Sequence, residues 1–454
     1  MRILKDTAGV LVWEKVDSAN SQLRSAHGAA TITPHLNYSQ FAYNVVMELS
    51  EGWLETILKR DALERSVSRV VSVEKEDVVI KGDNIASDIA RLKMKTVLGS
   101  GRMATRSLIM KTAPTAELRA KQIGEWGLFR KEIKIYNTVL PKMDELMDSV
   151  GYTGETLWGR CFYTRPNDTI ILEDLKELGF KMVDRKEGLD VNHVLLALRN
   201  LGKYHALSAV LKERGTLDVA GFKDTIFSAN LDSMEQYVEQ VLTQFAEVVD
   251  TTWGEEWKVY VPKIKSLVGR SMDVINQLFD EKCDFPVLNH GDFWVNNIMF
   301  KYDGDSNIPS GIRFIDFQMS YYNSYAFDLM CFLTTSVRPE IREKDYGPFL
   351  QEYHTSLTWH LSRLGYAGDN VPSLEDVKQE VKNRSVYIII LTCMMLTFVF
   401  AESDETPDIE EMLKSHAKTN TVRVDPKPML GRKYTRAAKS IIRFCQSQGT
   451  FDKL

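Results

Sequence analysis

Apolar positions recur along this chain with two different periods, and the change of period divides it. Ile89 to Val97 sets Arg91, Lys93 and Lys95 against Leu92, Met94 and Thr96, the period-two pattern of a half-exposed strand. The β-branched run Val67 to Ile80 precedes it. Ser107 to Thr112 follows through the turn-rich LGSGRMATR, and Trp158 to Thr164 with Thr169 to Glu173 reads as a further strand pair. Helical spacing appears twice in this region. One helix falls in ELSEGWLETILKRD from Glu48, with Trp53, Leu54, Ile57 and Leu58 on its apolar stripe, and another runs from Glu117 to Leu140, ending before Pro141. Beyond about residue 176 the helical period dominates, over Val191 to Glu213, Ser233 to Val249, Trp257 to Phe279, 374–401 and 426–445. One β-island interrupts it: Val287 to Asn289, Ile298 to Tyr302 and Ile312 to Phe317, the last two joined by DGDSNIPSG.

The organisation expected is α+β. Residues 1–47 show weak periodicity and read as a flexible extension, 48–175 as a small sheet-rich lobe with one principal helix, and 176–454 as a larger helical lobe. No internal repeat is visible. Ser385 to Ala401 is a stretch of 17 uncharged residues between Arg384 and Glu402, at the lower limit of a membrane-spanning helix. No basic cluster flanks it to set an orientation, so it reads as a buried core helix and no stable membrane insertion is expected. The N-terminal apolar stretch, Ala8 to Trp13, is too short for a signal-peptide core.

Composition narrows the function classes. Hydrophobic residues at 44% and charged residues at 26% exclude a largely disordered chain. Lys+Arg 57 against Asp+Glu 62 gives a net charge of −5, which argues against an electrostatic nucleic-acid binder. The five cysteines are widely spread, and none has CxxC spacing, so neither a zinc site nor a disulfide framework is indicated. A reducing, cytoplasmic setting is expected.

The chemistry concentrates in Asn289 to Phe300, NHGDFWVNNIMF. Asp292 follows His290 by two positions, Asn297 follows Asp292 by five, and Asp316 in FIDFQ comes 24 residues after Asp292 on an apolar run. Phosphoryl transfer calls for such a set: a carboxylate beside the attacking hydroxyl, and an amide oxygen with a second carboxylate to hold Mg2+ against the nucleotide phosphates. Lys111 ends the apolar run Leu108-Ile109-Met110, from which its ammonium can reach phosphate oxygens. Glu132 lies 21 residues later in FRKEIKIY, beside Phe129, Ile133 and Tyr136, where it can pair with Lys111 or with Lys131 or Lys134. KGDNIAS, Lys81 to Ser87, falls between the first two strands of the lobe, where Gly82 allows close backbone approach to phosphates and Ser87 offers a hydroxyl and an N–H. Gly99-Ser100-Gly101 joins strands and does not open a helix, so it reads as a hairpin turn. The backbone at Glu173 to Leu175, leaving the sheet, is a candidate to meet an adenine edge.

These residues resemble the protein-kinase-like small-molecule phosphotransferases that include aminoglycoside phosphotransferases and choline kinases. More narrowly, HGDFWVNNIMF, FIDFQ, YAFDLMCFL, IILEDL, YHALS and LIMKTAP are similar to the arthropod ecdysteroid-kinase-like family, over roughly residues 48–445. The resemblance implies a bilobal protein-kinase-like fold and ATP-dependent phosphorylation of a hydroxyl on a small-molecule alcohol, steroid-like or xenobiotic, by a monomer. It implies Asp292 as catalytic base, Asn297 and Asp316 as Mg2+ ligands, and Lys111 with Glu132 as the phosphate-anchoring pair. His290 reads as orienting the loop, and Asp328 in AFDLMCF as holding it through backbone N–H groups. Trp294 is open between packing under the loop and lining the acceptor site. Tyr321-Tyr322-Asn323-Ser324-Tyr325 and the helix from Tyr387 to Phe400 are candidate acceptor-site walls. Two alternatives remain. A protein Ser/Thr kinase is disfavoured because Gly follows His290 and Phe-Gln follows Asp316, while a nucleotide-binding or ligand-binding pseudokinase is disfavoured because each catalytic position is filled.

Overall fold

A computed structural model describes residues 2–5, 11–14, 49–60, 66–78, 87–166, 168–228, 232–304, 306–401, 414–416, 418–419, 421–422 and 424–454. The chain divides into two compact units, Met1–Glu48 and Leu49–Leu454. In the first, β1 (Arg2–Lys5) and β2 (Leu11–Glu14) form an antiparallel hairpin that pairs Arg2 with Glu14 and Lys5 with Leu11. Sequence patterning anticipated no element there. The remainder of the expected flexible extension lies outside the described residues.

The second unit begins with α1 (Glu51–Arg60), which buries Leu54, Ile57 and Leu58 as its stripe requires. Five antiparallel strands follow: β3 (Val67–Asp77), β4 (Asp88–Leu98), β5 (Met103–Thr112), β6 (Cys161–Arg165) and β7 (Thr169–Glu173), in spatial order β3-β4-β5-β7-β6. On β4 the alternation is literal, with Ala90, Leu92, Met94 and Thr96 buried and Lys93 and Lys95 exposed. The end of the first predicted strand, 79–80, lies outside the described residues. Lys111 on β5 sits between Ile89 and Ile170 of the neighbouring strands.

The single helix expected from Glu117 to Leu140 is instead a broken series. α2 (Glu117–Trp126) stops at Gly127, whose φ of 65° lets its N–H turn back to the Gly124 carbonyl. α3 (Leu128–Lys134) then widens into a π turn at Ile135–Val139 and continues as α4 (Leu140–Ser149) through Pro141. A proline lacks the N–H and clashes with the preceding turn, and the wider turn absorbs that mismatch where a regular helix would end.

The larger, helical part opens with α5 (Val191–Glu213) and α6 (Asp232–Thr252). The helix expected from Trp257 to Phe279 is broken into a 3-10 segment (Glu255–Tyr260), α7 (Val261–Lys265) and α8 (Ser271–Asp280), with Pro262 opening the second piece and Gly269 at φ 79° before the third. The β-island comprises β8 (Pro286–Asn289), β9 (Ile298–Tyr302), β10 (Pro309–Phe314) and β11 (Tyr321–Ser324), paired β9 with β10 and β8 with β11. One expectation is corrected here: β10 ends at Phe314, so Asp316 lies beyond the strand. Asn323-Ser324 belongs to β11, and the buried helix α9 spans Ala326–Thr335.

α10 (Pro339–Arg363) was not anticipated, because Pro348 inside it and its weakly amphipathic pattern conceal a 25-residue helix. α11 (Leu374–Asn383) and α12 (Val386–Phe400) meet at a 68° bend, beside which Arg384 is buried and paired with Glu380 at 2.7 Å. Among the described residues no single helix is long and apolar enough to cross a membrane, and α12 is almost wholly buried. α13 (Lys427–Leu430) and α14 (Arg432–Ser447) complete the helices.

α5 and α10 pack backbone to backbone at Gly202. A Cβ there would lie 2.8 Å from the Tyr353 carbonyl oxygen and 2.9 Å from the Leu357 nitrogen. Gly202→Ala is therefore expected to destabilise the fold by about 1–3 kcal/mol, as overpacking does, and to lower the midpoint of chemical denaturation.

Candidate active site

The segment from His290 to Asn297 leaves β8 and is held from beneath by one buried carboxylate. Asp328, in the first turn of α9, accepts the His290 N–H at 2.7 Å and the Gly291 N–H at 2.9 Å. It also contacts His205 Nε2 at 3.1 Å, and His205 Nδ1 meets the Tyr353 hydroxyl at 2.8 Å. A buried carboxylate needs such partners, and the loop after β8 and α5 supply them. Gly291 has φ 83°, and a Cβ on it would fall 2.0 Å from the Met319 carbonyl oxygen, so only glycine fits this turn. His290 is buried among Phe293, Phe314 and Phe317, with Nε2 3.0 Å from the Ile315 carbonyl. Burial holds its pKa below the usual imidazole value. The ring is thereby tied to the backbone that leads to Asp316.

Asn297 closes the segment. Its Nδ2 donates to Asp292 Oδ2 at 2.7 Å and to the Asp292 carbonyl at 2.9 Å, while its own carbonyl accepts the Ile315 N–H at 3.0 Å. Burial, aided by the negative charge of Asp316, pushes the Asp292 carboxyl up to about 7, against the opposing hydrogen bonds of Asn297 and Trp294. The Trp294 side chain is thus directed at Asp292, and it does not line the cavity beside that residue. The Val295 N–H is held at 2.9 Å by Ser336 Oγ, a residue that sequence patterning did not single out.

Asp316 has φ 66° and is the one non-glycine residue with positive φ among those described. Its Oδ1 lies 2.7 Å from Lys111 Nζ, and its Oδ2 accepts from Gln318 Nε2 at 3.2 Å. Lys111 Nζ is also 2.6 Å from Glu132 Oε2, with the two residues 4% and 1% exposed. Glu132 further accepts the Phe317 N–H. The alternative partners are engaged elsewhere: Lys131 donates to the Asp224 carbonyl at 2.7 Å, and Lys134 pairs with Asp218 at 2.5 Å. Burial alone would disfavour the Lys111 charge, but Asp316 and Glu132 outweigh it and hold the lysine protonated well above its usual range.

The structure therefore brings Lys111, Glu132 and Asp316 into one cluster, with Asp292 and Asn297 adjoining it. The other predicted residues stand apart. Gly82 lies outside the described residues. Ser87 is buried just before β4, and its carbonyl accepts from Arg119 at 3.1 Å. The Glu173 N–H is already taken by the Arg160 carbonyl at 2.9 Å and its side chain by Arg160, while the buried Leu175 accepts the Phe180 N–H at 3.0 Å. Between them, Asp174 was missed: it is 2% exposed and accepts from Arg91 and Ser107, each at 2.6 Å. A carboxylate at the end of the apolar run Ile170-Ile171-Leu172 was the available signal.

Asp292 also lines an apolar cavity of about 60 Å³ with Phe227, Tyr321, Phe327, Tyr387 and Met394. Of the expected walls, Tyr321 and α12 contribute, whereas 322–325 do not. Thr225 and Ile226 also border it, and Thr225 is shared with a larger cleft of about 590 Å³ reaching Trp126 and Lys131. Among the described residues no group of three or more His, Cys, Asp or Glu side chains could hold a metal ion.

Residues 81–366 match the model of the ecdysteroid kinase-like family. The chain belongs to the ecdysteroid kinase-like family. The matched span is shorter at both ends than the 48–445 suggested by motifs alone. Among solved structures, a glucosamine kinase in complex with glucosamine, ADP and inorganic phosphate is similar at 13% identity, covering 83% of this chain and 93% of that one, with a TM-score of 0.34. Crystal form A of glucosamine kinase aligns at 11% identity over 83% and 91% of the two chains, with a TM-score of 0.30. No curated protein matches the chain. This ecdysteroid kinase-like protein is a small-molecule kinase, a phosphotransferase with an alcohol group as acceptor, on a bilobal α+β protein-kinase-like fold with a small β-rich lobe and a larger helical one.

Replacing one partner of the buried pair strands the other. Lys111→Met is expected to cost about 3–5 kcal/mol, the usual cost of breaking a buried ion pair from one side. Lys111→Met/Glu132→Gln, which removes both charges, should recover part of that loss when the variants are compared by chemical denaturation.

Proposed function

We propose that this kinase transfers the γ-phosphate of ATP to a hydroxyl of an apolar alcohol, an ecdysteroid or a xenobiotic. The observation that carries the reading is the position of Asp292, which lines an apolar cavity on one side and adjoins the Asn297 and Asp316–Lys111–Glu132 groups on the other. In this reading a hydroxyl delivered through the cavity gives its proton to Asp292 as its oxygen attacks the γ-phosphorus, and the bond from that phosphorus to the β,γ-bridging oxygen breaks, releasing ADP. Lys111, oriented by Glu132, donates to the nucleotide phosphates. The residues also suit Mg2+. With its Nδ2 committed to Asp292, Asn297 presents its Oδ1 as a hard oxygen donor, and the Asp316 carboxylate supplies a second. One or two protein oxygens together with phosphate and water are what this ion ordinarily takes, and when bound it neutralises phosphate charge. Gly82 and Ser87 would cover the phosphates. Adenine would be met by the 173–175 stretch through groups other than the occupied Glu173 N–H.

The cavity chemistry supports an apolar acceptor. Its walls are mainly aromatic, methionine and leucine side chains, so binding would draw on apolar burial with few orienting polar groups. At about 60 Å³, it is far below the ~300–1,000 Å³ of pockets for drug-sized ligands. A steroid-sized acceptor thus requires it to widen, and Met319, Met394 and Met395 give it a deformable wall. A protein substrate is disfavoured, since a 3-10 turn, β11 and the fully buried α9 follow Asp316 and leave no exposed activation segment.

Asp292→Asn should lower kcat by about 10²–10⁴-fold, as loss of a general base does, with ATP affinity retained; unchanged turnover would show that Asp292 is not the base. A screen with γ-labelled ATP against sterol alcohols, xenobiotic alcohols, choline and amino sugars should label the first two classes. Labelling confined to choline or amino sugars would overturn the apolar acceptor.

A further inference from the structure

The apolar cavity beside Asp292 and the cleft of about 590 Å³ meet at Thr225, which borders both. The cleft runs between the α2–α3 junction, with Trp126, Gly127, Arg130 and Lys131, and the stretch that holds Gly221, Asp224, Thr225 and Ser228. The wall between the two spaces is thin. Ile226 and Met319 of the cavity pack with Trp126 of the cleft in one small cluster around Ile123 and Leu128. The turn itself is closed internally, with the Phe227 and Ser228 N–H groups on Thr225 Oγ1 at 3.1 and 3.2 Å. Phe227 is fixed against Phe279 and Tyr387, so the Ile226 and Met319 side chains are the part of the wall left to move. A space of about 60 Å³ holds no whole acceptor of drug size. The cleft falls inside the ~300–1,000 Å³ usual for such ligands.

The chemistry of the cleft differs from that of the cavity. Lys131 is 8% exposed and lines the cleft. Its Nζ donates to the Asp224 carbonyl at 2.7 Å, and among the described residues it forms no ion pair. An ammonium has three N–H donors, so this contact leaves two. Burial pushes the Lys131 pKa down to about 8, and the Asp224 carboxylate opposes this only in part. A buried cation whose bonded partner is a neutral oxygen is where an arriving carboxylate gains most, because the lysine has already lost its water. A second donor is also unused: the Trp126 indole N–H is buried without an acceptor among the described residues. Arg130 is exposed and lies over Gly127, where a Cβ would stand 3.1 Å from its Nη2. Two other charges of the cleft are paired, Lys134 with Asp218 at 2.5 Å and Glu125 with Lys121 at 4.0 Å.

We infer that the cleft and the cavity are two ends of one acceptor site, and that Lys131 selects alcohols carrying a carboxylate at the end away from the reacting hydroxyl. The Trp126 N–H and Arg130 are further donors to that carboxylate. This rests on the assignment of the Asp292 cavity to the acceptor hydroxyl, and it narrows the acceptor to an apolar alcohol with an acidic tail.

The test uses ω-hydroxy fatty acids of increasing chain length and their methyl esters, which differ only at the far end. Turnover with γ-labelled ATP and calorimetric affinity are measured for wild type, Lys131→Met and Lys131→Arg. At the best chain length, wild-type kcat/KM should favour the acid at least about tenfold, the scale of one charge-assisted hydrogen bond, and chiefly through KM. Lys131→Met should abolish that preference and Lys131→Arg should keep part of it. A lysine that only braces Asp224 would, when replaced, slow acid and ester alike and leave their ratio intact, which would overturn the inference. Equal use of acid and ester by wild type would overturn it too, while leaving the Asp292 reading in place. Tight binding of the acid through Lys131, with no member of the series phosphorylated, would instead remove the Asp292 assignment and the joined site with it.

Discussion

The Lys111 ammonium, buried between Glu132 and Asp316, is the contact on which the arrangement of the site depends. Its two partners lie 2.6 and 2.7 Å away on elements far apart in sequence, α3 and the turn beyond β10. Removing three charged groups from water is costly unless geometry and hydrogen bonding are well satisfied. Here the Phe317 N–H on Glu132 and the Gln318 amide on Asp316 supply part of that satisfaction. The sheet, the helix behind it and the β-island are thereby constrained to one relative placement. The same charges that specify the placement are those to which the proposed reading assigns phosphoryl transfer.

A second constraint lies beneath the first. Asp328 holds the His290–Gly291 backbone from α9, and Asn297 ties Asp292 to the end of its own loop. Both left-handed residues of this neighbourhood, Gly291 and Asp316, flank the space where a phosphate and an acceptor hydroxyl would meet. A non-glycine residue in that conformation costs on the order of 1–2 kcal/mol. It persists at Asp316 because Lys111 and Gln318 fix the carboxylate. Backbone strain concentrated where the charged groups converge is a common property of functional sites.

α12 borders two cavities. Tyr387, Leu391 and Met394 face the apolar space beside Asp292, while Leu396 and Phe400 line one of about 340 Å³ where Arg185, Lys186, Arg338, Arg342, Lys433 and Arg436 gather. This explains why its sequence is apolar on every side yet need not contact lipid. Both of its faces are covered by protein, and a 68° bend separates it from α11.

Local rules were sufficient for much of this protein. The alternation on β4, the apolar stripe of α1 and the full length of α5 were legible, because each depends on periodicity within one element. The spacing of Asp292, Asn297 and Asp316 was legible because a short loop and hairpin dictate which residues can return to one point. Other features were not. Pro141 and Pro348 each signal a break, but a π turn and tertiary packing carry the helices through them. Ser336, Asp174 and the cation cluster around Arg342 have no local signature, since their meaning comes from partners as far as 246 residues away. Sequence by itself determined many of the elements and the spacing of the candidate site residues, through period and short-range spacing. Only the tertiary structure decided that Lys111 shares its charge between two carboxylates, that Asp292 faces an apolar cavity, and that six cations gather in an acidic chain, because each requires long-range contacts that no local pattern encodes.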